Sequence, residues 1–397
     1  MTFKSHSKKI AFWIIFLFCK YILVAQNHIL TIKDSKTNEV IPAVYVSIYK
    51  QNKSIETISN TEGKINVPIQ FDSIKLSHVA YEILTVSKPS PSQEIAYLKP
   101  KIILLGDISV YSLELKDKIA FVLKNFNRLY VTGPRTYQCT YKETQKVNKK
   151  LSRLLQFNLK WWNKTYNSNL KKSVFKENQV GIGETDYAQK GQLDDGSNIE
   201  QSSFLSSLLL NNYLTALYNS LYEIIIERIE KDSETSTVYF SAKNNGPGNN
   251  YQSNFNDCEV KFNIKTGAIV LLKSRQVYEN RVDRGISKKT NSPYEIHYFD
   301  EERFMSFVDE DNKLRLAQYY LKLNTEAIYQ GRTNKYEDQV DIYVTKIEKG
   351  NSIPKSSIID LTTKYIFEYV GEKVSDNPKI LFTEEEKRFI HSKGKID

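Results

Sequence analysis

The chain has 397 residues, enough for two or three domains with cores of their own. With 40% hydrophobic residues, 12% aromatics and only 15 Gly and 10 Pro, it is not collagen-like, low-complexity or wholly disordered. Four positives of the +10 net charge sit in the acid-free first 26 residues, and the mildly basic remainder lacks a nucleic-acid signature.

Residues 1–26 begin with Lys4, Lys8 and Lys9, run apolar from Ile10 to Cys19 and end in a short Tyr21–Gln26 stretch. That order is a secretory signal peptide. A membrane anchor competes, but Lys20 interrupts a run already short of the ~20 apolar residues a span needs. Export to the periplasm or the outer membrane is therefore expected, with cleavage near Gln26 and no transmembrane domain left afterwards. Cys139 and Cys258 then remain, too few for a disulfide framework. Each shares a strand face with apolar residues, so two buried thiols are expected.

Residues 27–111 read as short alternating strands at close spacing, the pattern of an all-β sandwich. His28–Lys33 is the first. In Ala43–Tyr49, Val44, Val46 and Ile48 share one face. Glu56–Ser59 and Lys64–Ile69 flank Asn60–Gly63 as an expected hairpin, with Gly63 supplying the positive φ of its turn. Ser73–Val79, Tyr81–Ser87, Glu94–Leu98 and Ile102–Tyr111 complete the set.

The segments Ile32–Asp34, Glu39–Val46, Thr57–Ile65 and Leu76–Glu82 resemble the carboxypeptidase regulatory-like domain. So does the ending Ile95–Leu98 with Leu105–Val110. The resemblance implies a transthyretin-like β-sandwich of the kind that precedes many exported and outer-membrane proteins of Gram-negative bacteria. Ala80 and Gly106–Ile108 depart from the family pattern, which leaves the implied fold unchanged. Its markers are turn and core residues and carry no chemistry.

Residues 112–350 open with a helix over 113–130, in which Leu115, Ile119, Val122, Leu123, Phe126 and Leu129 recur at helical spacing. Two long strands follow, over Thr136–Val147 and 151–161. Residues 183–200, rich in acids, are expected as an exposed loop, and Gln201–Asn219 as a second helix. Hairpins then pair Leu221–Ile229 with Thr235–Lys243 and, around Gly267, Asp257–Ile264 with Ala268–Ser274. Tyr294–Phe299, Arg303–Val308, Lys313–Thr325 and Gln339–Glu348 are further strands. Residues 351–397 read as an extension whose terminal helix starts at Thr383, with Glu386 placed for a capping box.

Asn125–Tyr130, Tyr141–Glu143, Val260–Ile269 and Thr383–Glu386 resemble the region that follows the regulatory-like module in a group of uncharacterised exported proteins. The expected class is mainly β: the sandwich, then an α+β domain. The latter is a curved antiparallel sheet with two or three helices in its concavity, similar to periplasmic lipoprotein carriers.

A search for chemistry returns little. Beyond residue 26 the histidines are His28, His78, His297 and His391, without His-Glu-x-x-His, Cys-x-x-Cys or Gly-x-Ser-x-Gly. His297 beside Glu295 reads as a solvated strand end, and Asp194–Gly196 as a solvated turn. Lys146, Lys149, Lys150 and Arg153 form a basic patch without interleaved aromatics, read as a solvated hairpin. Glu143, on the Tyr141 face, is either buried against a cation or, the favoured reading, a solvated strand end. No catalytic, cofactor-binding or metal residue is assigned.

The expected function is a non-enzymatic exported envelope protein acting as a binding or scaffold module, whose partner is an envelope protein or lipid. The alternative is a periplasmic carrier of a lipid or other apolar ligand. Its candidate lining is Phe157, Leu159, Trp161, Leu209, Tyr213, Tyr294, Ile296 and Tyr298, unless strands close over these groups as ordinary core.

Overall fold

A computed structural model describes residues 27–395 apart from 52, 69–70, 79, 88–93, 102–103, 106–111, 168–173, 195–200, 219–220, 246–251, 287–290, 351, 363, 371–372 and 375–377. The expected signal segment, part of the acidic loop and most of Ile102–Tyr111 lie outside the described residues. The protein is mainly β and divides into two compact units, Met1–Lys101 and Ile102–Asp397.

The smaller unit holds β1 (Asn27–Asp34), β2 (Tyr45–Lys50), β3 (Lys53–Ile58), β4 (Lys64–Pro68), β5 (Ser73–Ser77), β6 (Leu84–Ser87) and β7 (Ile95–Leu98). They form two sheets, ordered β4-β1-β7 and β3-β2-β5-β6. Leu30, Ile32, Ile65 and Leu98 of one sheet and Val46, Ile48, Ile74 and Leu76 of the other are buried in a common core.

The strands on either side of Asn60–Gly63 do not pair as a hairpin, because β3 and β4 belong to different sheets. The turn is a crossover. Its Asn60 carboxamide oxygen accepts from the Glu62 and Lys64 amides at 3.0 and 2.9 Å. Gly63 has φ +69°, and a Cβ there would stand 2.8 Å from the Ile32 carbonyl oxygen. Gly63→Val is therefore expected to lower stability by roughly 1–3 kcal/mol. Hydrogen exchange of the β1 and β4 amides, accelerated in the variant, is the check; wild-type protection would refute it.

The larger unit begins with β8 (Leu104–Leu105), α1 (Ser112–Lys124), α2 (Phe126–Leu129), β9 (Arg135–Val147), β10 (Lys150–Asn163), α3 (Val174–Glu177) and β11 (Asn178–Lys190). It continues through α4 (Gln201–Ser207), α5 (Leu210–Tyr218), β12 (Tyr222–Lys231), β13 (Thr235–Asn244), β14 (Gln252–Asn263), β15 (Ile269–Glu279) and β16 (Val282–Ile286). Last come β17 (Pro293–Glu310), β18 (Lys313–Tyr329), β19 (Arg332–Lys349), α6 (Ile366–Val370), β20 (Lys373–Val374) and α7 (Glu384–His391). Leu104–Leu105, expected in the sandwich, pairs instead with β12.

One antiparallel sheet runs β20-β11-β10-β9-β19-β18-β17-β15-β14-β13-β12-β8, with β16 added on β17. Two-residue turns with both residues at positive φ close three of its longest hairpins: Asn148-Lys149, Asp311-Asn312 and Gln330-Gly331. Such turns match the twist of the flanking strands and so permit long regular ladders. The two strands expected over 294–308 are one, because Phe299–Glu302 continues the ladder through a bulge.

Helices α1, α2, α4 and α5 bury Leu115, Ile119, Phe126, Phe204, Leu214 and Leu217 against one face of this sheet, the inner face. The expected second helix is two, broken at Leu208–Leu209. At the break the Asn212 amide nitrogen donates to the Ser206 carbonyl, and the Ser207 hydroxyl to that of Phe204. These side chains take up carbonyls left by the interrupted helix. With the helix broken, Leu208, Leu209 and Leu210 are all buried, which one stripe could not achieve.

The acidic stretch expected as loop is strand through Lys190, and Thr185, Asp186, Tyr187 and Ala188 are buried. Ala188 faces the inner core, whereas Asp186 and Tyr187 are covered by the C-terminal segment, an integral part of the larger unit. Phe382 and Phe389 pack with Leu154 and Tyr187 on the outer face. Lys142 meets Glu386 there at 2.8 Å. The capping box forms as expected, with the Thr383 hydroxyl accepting from the Glu386 amide and the Glu386 carboxylate from that of Thr383.

Candidate functional site

The eight residues expected to line an apolar pocket do not converge on one. Phe157, Leu159 and Trp161 point from β10 into the inner core, in which Leu209 and Tyr213 are also buried. Trp161 stacks on Tyr137 at 4.7 Å and donates its indole N–H to Asn178 at 2.8 Å. Tyr213 lies edge-on to Phe255. Tyr294, Ile296 and Tyr298 occupy the far half of β17, partly exposed and outside that core. Tyr298 lies under the Arg281 guanidinium at 3.9 Å.

Cys139 and Cys258 are free and buried on the same inner face. Burial raises both thiol pKa values, that of Cys258 to about 12. Neither is a competent nucleophile near neutrality. Both are expected to resist maleimide labelling at pH 8 in native protein and to label promptly in denaturant; fast native labelling of either would contradict this placement.

The basic patch and the solvated turn separate into unlike parts. Asn148, Lys149 and Lys150 are exposed, but Arg153 is 0% exposed. Its Nε and Nη2 donate to the two carboxylate oxygens of Asp194 at 2.6 and 2.8 Å, and Nη1 donates to Glu143 at 3.0 Å. Tyr141 donates to the same Glu143 at 2.6 Å. The favoured reading of Glu143 as solvated is corrected, and so is that of Asp194. Since the guanidinium is bonded on three nitrogens, this cluster reads as architecture. His297 and Glu295 form a partly exposed pair at 3.4 Å, but the strand-end reading is corrected, because His297 lies within β17 with Val282 and Glu326 as its cross-strand partners.

The inner face opens at the ends of β12, β13 and β14. Lys231, Ser236 and Phe262 are direct cross-strand partners and form one transverse row. Residues in one row share a face. Opposite them, α1 presents Asp117, Lys118 and Phe121. Together with Asn263, Ile264 and Gly267 they line a cleft of 440 Å³. Gly267, at φ +73°, lies so close to the Phe121 ring that a Cβ would meet it at 2.8 Å. The wall is apolar and open to solvent, with Phe121 41% and Ile264 53% exposed.

Polar groups ring this wall. The Lys118 ammonium stands 5.6 Å from the Phe262 ring centroid. Burial lowers its pKa, Glu114 opposes the shift and Lys231 adds to it, so the two lysines feel each other. The Ser236 hydroxyl is buried without a hydrogen-bond partner among the described residues. Sequence reasoning missed these residues; the available signal was Phe121, an aromatic off the apolar stripe of α1.

The chain matches no family model and no curated protein sequence. Among the described residues no helix is long and apolar enough to cross a membrane.

Proposed function

We propose that this is a non-enzymatic, exported envelope protein acting as a binding or scaffold module, periplasmic or associated with the outer membrane. In this reading the smaller unit is a transthyretin-like sandwich of the carboxypeptidase regulatory-like type. The larger unit is a curved α+β domain that displays binding surface. One observation carries it: the chain's own helices and rings fill the inner face along β9 and β10, leaving Phe157, Leu159 and Trp161 at 0–1% exposure. A sheet filled by its own chain is a rigid support. The carrier alternative draws its support from the cleft at the sheet's end instead.

Two measurements test the reading. Intact mass of exported material is expected to show a chain beginning near Gln26 or Asn27. A fluorophosphonate probe is expected to leave Ser236 unlabelled, although Lys231 is its cross-strand partner. Retention of residues 1–25 in a cytosolic product, or covalent labelling of Ser236, would overturn it.

A further inference from the structure

We propose that the cleft between α1 and the β12–β14 row binds a single-chain anionic amphiphile, its head held by Lys118, Lys231 and Ser236 and its chain lying on Phe121, Phe262 and Ile264. This names a ligand class for the binding-module reading and rests on it. The cleft falls in the size range of small-molecule sites. Its lining carries two cations against one acid, Asp117, so an anion is favoured over a cation.

Ser236 supplies an independent reason for a polar head. A buried hydroxyl without a partner among the described residues is destabilising, and an acceptor entering the cleft relieves it. A carboxylate or phosphate oxygen is such an acceptor and would also face the lysines. The chain then has a surface to cover, since Phe121 and Ile264 are open to water beside the Phe262 ring. A free inorganic anion would leave that surface wet, and a neutral hydrocarbon would leave the lysines unanswered. Only a molecule with both parts satisfies the whole lining.

The test is titration of the purified chain by calorimetry with dodecanoate, dodecyl phosphate and dodecanol, all below their aggregation limits. Saturable binding of one or both anions, with dodecanol at least tenfold weaker, is the expected result; the tighter anion tells a carboxylate from a phosphate head. Lys118→Gln/Lys231→Gln should weaken anion binding at least tenfold while leaving the melting temperature unchanged, and Phe262→Ala should weaken all three probes. Equal binding of dodecanol, wild-type affinity in the folded double variant, or no saturable binding would overturn the proposal. Those outcomes are separate from Ser236 labelling and from export, on which the wider reading stands.

Discussion

Arg153→Met should destabilise the larger unit by about 3–5 kcal/mol, the usual cost of removing one partner from a buried ion pair. The arginine is fully enclosed, the Asp194 side chain is 1% exposed and that of Glu143 14%. Methionine fills much of the same volume, so lost packing contributes little. Two carboxylates, however, are left in low dielectric without their cation. Urea unfolding followed through Trp161 and Trp162, the two tryptophans beyond residue 26, reports on this unit alone. Replacing Glu143, Arg153 and Asp194 together with apolar residues should recover most of the loss, because the desolvation cost then disappears with the charges. A single variant as stable as wild type would show that the cluster contributes nothing net.

Asp338→Asn should raise stability at pH 8 and change it little at pH 4. Burial lifts the Asp338 carboxyl from 3.8 to about 7; the Gln145 bond opposes this, Glu143 adds to it, Arg153 opposes and Asp194 adds. Between those pH values the folded chain keeps a proton that the unfolded chain has released. This group's contribution is therefore full below about pH 4 and is lost as pH rises through about 7. Three units correspond to a ceiling on the order of 4 kcal/mol. Asparagine keeps an oxygen for the Gln145 amide, which donates to Asp338 at 2.8 Å, and carries no charge to desolvate. Urea midpoints of the two proteins across pH 4–8 should diverge steadily. Parallel curves would mean that Asp338 is ionised in the fold throughout.

Local rules read well from sequence where each side chain acts alone. The capping box at Thr383, the positive φ of Gly63, the turn at Gly267, and the alternation along β9 and β10 each follow from a few adjacent residues. The misreadings of Glu143, Asp194 and the acidic stretch share one cause, a charge satisfied by a residue elsewhere along the chain. Arg153 lies on the face of Leu155, Phe157, Leu159 and Trp161, and Glu143 on that of Tyr137, Cys139 and Tyr141. A cation and an acid on apolar faces of adjacent strands were legible as a pair; Asp194, 41 residues from Arg153, was not. The stretch around Asp186 looked like loop because the segment that covers Asp186 lies nearly two hundred residues later. The cleft stayed hidden for a different reason. Its row comes from cross-strand register, and a single sequence does not state register.

The pairing of β9 with β19 joins residues 135–147 to residues 336–349 in the middle of the sheet. Every other central neighbour is consecutive in sequence or, for β15 and β17, separated only by β16, so two meanders meet along this one seam. Closing a loop of that length gives the unit a high contact order, which predicts slow folding. Until the seam closes, β9 and β19 each present an unpaired edge of more than a dozen residues, open to another chain. Only after residue 349 has been synthesised can the sheet close, and a chain halted before it would carry the β9 edge uncovered.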